Sequence, residues 1–236
     1  MNDRPPGSRD WHSHPPNDHP DYRSTARRAP TRPLVVLPWQ TLSERTGPGH
    51  GHEALQPLDD DLTRNGVCNG APLGERIIVT GRVLDEHGQP LPDTLLEIWQ
   101  ANAAGRYIHR VDRHDAPLDP NFFGAGRCIT DSKGRYRFIT IKPGAYPWGN
   151  HDNAWRPAHI HFSLFGPNLQ SRLATQMYFP GDPLLPLDPI LNSVPDPAAR
   201  ERLVARFSPD VSEPGHALGY EWDIVLRGPA QTPMEA

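Results

Sequence analysis

The chain has 236 residues, enough for one self-sufficient domain with extensions. Its formal net charge of −4, with no basic run, points away from nucleic acid, and no segment reaches the ~18 apolar residues of a membrane-spanning helix. Proline supplies 29 residues, well above the usual ~5%, which favours many short strands joined by loops over long helices.

Residues 1–33 are polar and rich in Pro, His and Arg, so they read as an arm that builds no core of its own. The opening residues have no apolar stretch of the signal-peptide kind, and the expected location is the cytoplasm. Cys68 and Cys128 make no disulfide framework. LVVLPW (34–39) is a short strand candidate. Residues 43–75 are loop-like, with GPGHGH at 47–52 and an acidic run, Asp59 to Asp61.

The regular part starts at Glu75. Strands are predicted at 76–85, 94–101, 127–130, 135–143, 158–166, 173–179 and 221–228, separated by turn-rich or long loop segments. In the strand from Arg135, alternation puts Tyr136, Phe138 and Thr140 on one face and Arg135, Arg137 and Ile139 on the other. One helix is predicted, with Asp196 as N-cap, Pro197 at its first position, and Leu203, Val204 and Phe207 sharing a face. The expected fold is all-β: a mostly antiparallel β-sandwich with long loops, one short helix and an extended N-terminal arm. The expected division is an arm-and-loop region over 1–74 and a sandwich domain over 75–236.

Three His-x-His triplets occur where composition alone would give about one, so the spacing is weak evidence and context must separate them. His12 and His14 lie in the polar arm. His50 and His52 sit among glycines, which do not fix side-chain direction. His159 and His161 lie in a strand, where residues two apart share a face. Ile160, Phe162 and Leu164 then point to the core and both imidazoles to the other side. This is either a metal or catalytic pair or two half-buried histidines. Tyr146, in a loop held between Pro143 and Pro147, and Tyr107, after a loop of small residues, are possible oxygen donors, but by themselves both read more readily as packing residues.

A longer pattern joins these residues. Val79-Thr80-Gly81-Arg82-Val83, Gly88, Leu91, Leu96-Glu97-Ile98 and Gly105-Arg106-Tyr107 come first. Tyr146-Pro147-Trp148, Arg156-Pro157-Ala158-His159-Ile160-His161-Phe162 and finally Asp223 to Gly228 follow in order. Over residues 75–228 the chain resembles the intradiol ring-cleavage dioxygenase family. Asp21-Tyr22-Arg23 and Ser43 to Pro48 are similar to the iron-bearing subunit of its two-subunit members. No helical pattern fills residues 1–70, unlike the members with a helical dimerisation domain.

The resemblance implies a non-haem Fe(III) enzyme that uses O2 to cleave an aromatic diol between its hydroxyl-bearing carbons, in aromatic-compound catabolism. The implied metal ligands are Tyr107, Tyr146, His159 and His161, a hard anionic set suited to the ferric state. Tyr146 is the ligand expected to yield to substrate and take its proton. Arg156 and Gln176 are the implied catalytic neighbours of the reacting oxygens. Tyr22, Trp148 and Ile190, with Arg156, are implied to line the substrate pocket, whereas Trp99 is expected to be structural. A homologous α subunit is the implied partner in a hetero-oligomer, with residues 1–74 packing on it. Three other readings stay open: the same chemistry on a different diol, catechol or hydroxyquinol; a zinc hydrolase, which needs a third His or a carboxylate; and a non-catalytic β-sandwich binding module.

Overall fold

The computed structural model describes residues 12–33, 52, 55–66, 68–166 and 172–235. The strand candidate at 34–39, the stretch Ser43 to Pro48 and the pair His50-Gly51 lie outside the described residues.

Two packed sheets form the body. The first is built on β1 (Arg76–Leu84), which pairs antiparallel with β4 (Arg135–Ile141) on one side. On its other side β1 runs parallel to β10 (Leu218–Glu221) and β11 (Ile224–Val225), and β10 carries β9 (Arg206–Phe207). The second sheet is antiparallel throughout, in the order β3 (Ala125–Ile129), β2 (Leu95–Trp99), β7 (His159–Phe165), β8 (Arg172–Tyr178). A two-residue pair, β5 (Tyr146–Pro147) with β6 (Trp155–Arg156), stands apart from both.

The core between the sheets follows the strand alternation. Val79 on β1 lies opposite Phe138 on β4, and Ile160, Phe162 and Leu164 of β7 complete it from the second sheet. Phe162 sits 4.9 Å, centroid to centroid, from Trp222 and 5.8 Å from Phe138. The predicted faces of β4 hold: Tyr136, Phe138 and Thr140 are buried, Arg135 and Arg137 exposed.

Three features differ from expectation. The strand predicted over 221–228 is two strands, parallel to β1 rather than antiparallel. Trp222 separates them: its N–H donates to Thr80 O (2.8 Å) and its carbonyl accepts from the buried Tyr136 hydroxyl (2.6 Å). Short helices number more than one: α1 (Thr25–Arg28), α2 (Pro189–Asn192) and α3 (Pro197–Glu201), with a 3-10 turn at Leu185–Leu187. Asp196 does cap α3, accepting from Ala198 N (3.0 Å), but the helix stops at Glu201. Backbone bonds from Tyr178 N to Leu203 O and from Ala205 N to Tyr178 O draw the following residues onto the edge of β8, and Phe207 goes into β9. Leu203, Val204 and Phe207 therefore share no helical face.

The segments before β1 are tied to the body. Leu62 is fully buried, and Leu62 N and Ile139 N bond to Ile139 O and Asp60 O, so the acidic run lies along β4. The arm docks at three places: Asn150 bonds to Asp21 O and Arg23 N, His12 O accepts from Asp196 N, and His14 Nδ1 accepts from Met234 N. Both cysteines are free, Cys68 exposed and Cys128 buried. Burial pushes the Cys128 thiol far up, so it stays protonated.

Candidate active site

The two histidines of β7 point away from the core, as their spacing requires, but they are not solvated: His159 is 2% exposed and His161 8%. Two loops cover them. The first, after β2, carries Tyr107. Asn102 folds it by accepting from Ala104 N and Arg106 N (both 2.9 Å), and Asp112 accepts from Tyr107 N (2.8 Å). The second, after β4, carries Tyr146 into β5. Gly105 (φ +77°) and Gly144 let the two loops touch, since a Cβ on Gly105 would strike Ala145 O and one on Gly144 would strike Ala103 O.

Tyr107 and Tyr146 meet edge to face at 5.4 Å between centroids, over the imidazoles. Tyr146 Oη lies 3.2 Å from His159 Nε2, and the two Nε2 atoms lie 3.2 Å from each other. The partners of the remaining ring nitrogens assign the tautomers. His159 Nδ1 donates to Pro157 O (2.7 Å), and His161 Nδ1 faces Glu235 Oε2 (3.4 Å). Both Nδ1 atoms thus carry the proton, and both Nε2 lone pairs point at one spot with no hydrogen between them. The buried Tyr107 hydroxyl has no hydrogen-bond partner.

Electrostatics sharpen this. Burial pushes Tyr107 well above the ordinary phenol value and raises Tyr146, while burial, then Arg156 and His161, hold His159 well below the ordinary imidazole value. Without a cation, Tyr146 and Arg156 face the His159 lone pair, while the Tyr107 hydroxyl is left unpartnered. A multivalent cation satisfies all four donors at once, and its charge ionises the phenols. Among the described residues no three His, Cys, Asp or Glu side chains group for a metal, so the third donor that a zinc hydrolase needs is absent there.

Arg156 is not a surface residue. It is 3% exposed, and its Nη2 donates to Gln176 Oε1 (2.6 Å), Tyr178 Oη (2.9 Å) and Asp188 Oδ2 (2.9 Å), while Nη1 lies 3.3 Å from His159 Nε2. The sheet register brings this group together, because His161 lies opposite Gln176 and His159 opposite Tyr178. Asp188 also caps α2, accepting from Ile190 N (3.2 Å), which seats Ile190 beside the cluster. Trp148 lies under the Arg156 guanidinium at 5.7 Å, and Tyr22 of the arm meets Trp148 edge-on at 5.3 Å.

The predicted residues therefore fall on two sides of His159. A cleft of about 510 Å³ opens on Tyr107, Tyr146, His161 and Trp99. Arg156, Gln176, Trp148, Tyr22 and Ile190 form the opposite flank and do not line that cleft. Sequence reasoning missed three contributors. Tyr178 and Asp188 complete the Arg156 cluster; the Asp-Pro at 188 was a readable N-cap, and Tyr178 stands two residues from Gln176 on one strand face. Glu235 carries no sequence signal. Trp99 stacks on His161 at 4.8 Å with planes 5° apart, which fixes the imidazole plane.

Comparison with known proteins agrees with this architecture. Residues 45–228 match the family model described as "Dioxygenase", and residues 8–39 match "Protocatechuate 3,4-dioxygenase beta subunit N terminal". The chain is 68% identical over 227 residues to the protocatechuate 3,4-dioxygenase beta chain of Burkholderia cepacia, covering 96% of each. It is 31% identical to the protocatechuate 3,4-dioxygenase alpha chain of Pseudomonas putida, covering 85% of this chain and 97% of that one. The solved 3-chlorocatechol 1,2-dioxygenase of Rhodococcus opacus 1CP shares the fold at TM-score 0.56 and 24% identity, over 82% of this chain and 69% of that one. Among the described residues no helix is long and apolar enough to cross a membrane. With this fold and a likeness that runs nearly from end to end, the chain belongs to the intradiol ring-cleavage dioxygenase family.

Proposed function

We propose that this chain is the metal-bearing beta chain of a protocatechuate 3,4-dioxygenase, working in the cytoplasm with a homologous alpha chain. It opens protocatechuate between the two hydroxyl-bearing carbons with O2, giving 3-carboxy-cis,cis-muconate. One observation carries the reading: two phenols and two imidazole lone pairs converge in a chain 68% identical to a beta chain of that name. In this reading residues 1–74 pack on the alpha chain and residues 75–236 form the catalytic domain.

Tyr107, Tyr146, His159 and His161 would hold a ferric ion. When bound, that ion supplies a Lewis acid that draws electron density from a diol and readies its ring carbon for O2. The remaining work falls to the chain. Tyr146, on the short β5 segment, is the donor best placed to give way to the diol; once freed, its phenolate takes a diol proton. Arg156, fixed by Asp188, Gln176 and Tyr178, presents a buried cation to the negative charge that develops on the ring, and it needs no rearrangement to do so. Gln176, whose Oε1 accepts from Arg156 and Tyr178, is the polar neighbour of the reacting oxygens in this reading. Tyr22, Trp148 and Ile190 shape the wall around Arg156, and the two covering loops frame the cleft through which substrate would enter.

Oxygen uptake with protocatechuate and with catechol, on the chain alone and with its alpha-type partner, tests the reading. The expected result is uptake with protocatechuate, one iron per beta chain and a visible charge-transfer band. Colourless, iron-free protein without uptake would refute it. A Tyr146→Phe substitution is expected to shift the band and slow turnover about 100-fold; an unchanged spectrum and rate would remove Tyr146 from the site.

A further inference from the structure

His161 is held by more than its strand. Its Nδ1 faces Glu235, and among the described residues this carboxylate is the acceptor at that nitrogen. Glu235 lies outside both sheets, yet it is placed with care. Residues 232–235 run beside β8 and β11. Thr232 N donates to Val225 O (2.8 Å), and Thr232 Oγ1 accepts from Val225 N (3.0 Å). Thr175 Oγ1 donates to Pro233 O (2.7 Å), and Glu235 N donates to Ala174 O (2.7 Å). From the other side the arm reaches in: His14, 6% exposed, accepts from Met234 N through Nδ1 at 3.0 Å.

Four backbone anchors on one short segment are more than a solvated tail needs. Their common result is that one carboxylate meets the back of one imidazole. We infer that Glu235 is a positioning residue for the metal centre: it holds the Nδ1–H of His161, so that the Nε2 lone pair faces the metal, and its negative charge makes that nitrogen a stronger donor. The inference rests on His161 being a metal ligand, as proposed above. It makes the residues after β11 a working part of the centre, and it gives the arm a role inside its own chain, because His14 secures the segment that carries Glu235.

The test uses the chain co-purified with its alpha-type partner and loaded with iron. Glu235→Ala removes acceptor and charge. Glu235→Gln keeps an acceptor of the same shape and removes only the charge, so it guards against a simple folding defect. Loss of such an outer partner typically weakens metal binding 10- to 100-fold. Iron loss to a competing chelator is therefore expected to quicken by about that factor in Glu235→Ala and by less in Glu235→Gln, with a displaced visible band in both. The melting temperature should fall for the iron-loaded form and hold for the iron-stripped form. Wild-type chelation kinetics and an unmoved band in Glu235→Ala would overturn the inference. An equal fall in melting temperature with and without iron would do so too, because it would mark a purely structural role. A wild-type complex with neither iron nor colour would overturn the inference together with the reading beneath it.

Discussion

The outer faces of the two sheets obey the same alternation and have opposite fates. On the first sheet the outward residues of β1 and β4 include Arg82, Arg135 and Arg137. They stay in water and find partners of convenience, Arg82 with Asp223 and Arg137 with Glu213, each side chain about half exposed. On the second sheet the outward residues of β7 are His159, His161, Ser163 and Phe165, and all are buried. Period two decides only which side chains point away from the core; what lies over them decides their chemistry. Beneath the loops of Tyr107 and Tyr146 and the segment of Glu235, each polar group has lost water and must be matched or be used. That is why burial is the first cause of the displaced pKa values of His159, Tyr107 and Tyr146, whereas the exposed Arg82 is raised by its hydrogen bond to Asp223.

The sharpest way to break this contrast is to remove a partner on the covered side. Asp188→Ala leaves the Arg156 guanidinium buried with its counter-ion gone, and it removes the cap of α2. Loss of one member of a buried pair costs about 3–5 kcal/mol. A denaturant melt should show a loss of that size, with Ile190 released from its place; a change under about 1 kcal/mol would mean that Arg156 reaches water.

Most of the β framework was legible because the alternation in 135–141 and 159–165 is clean and the turn residues between strands are dense. The direction of β10 and β11 was not legible, since pairing parallel to β1 depends on where Trp222 enters the core, a contact 60 residues and more from its partners. The site was legible as far as strand geometry and the ordered motif reached: both imidazoles on one face, and Tyr107 and Tyr146 above them. Arg156 taken alone reads as a loop cation, and only the β7–β8 register and α2 make it a buried one. Glu235 was invisible because its placement depends on long-range backbone bonds that leave no local pattern.

A smaller effect separates the faces by pH. In metal-stripped protein His159 titrates well below the ordinary imidazole value, first because it is buried, then because of Arg156 and His161. The unfolded chain takes up a proton there at about pH 6.5, and the folded chain does not. This contribution is therefore complete above about pH 6.5 and is lost as pH falls from there toward the folded value, at up to ~1.4 kcal/mol per pH unit. Urea melts of metal-stripped wild type and His159→Gln between pH 7.5 and 5.5 should diverge, with wild type losing more. Parallel curves would show that His159 gains a proton without unfolding.

The smallest effect belongs to the open sheet. Arg137→Ala removes a 2.9 Å ion pair with Glu213, but the two side chains are 49% and 48% exposed, so water screens the attraction and mobility offsets it. The expected loss is under about 1 kcal/mol and shrinks further in high salt. A double-mutant cycle with Glu213→Ala measures the coupling directly. A coupling as large as that of the Arg156–Asp188 pair would mean that this face too is covered in the assembled protein, and the asymmetry between the sheets would belong to the isolated chain alone.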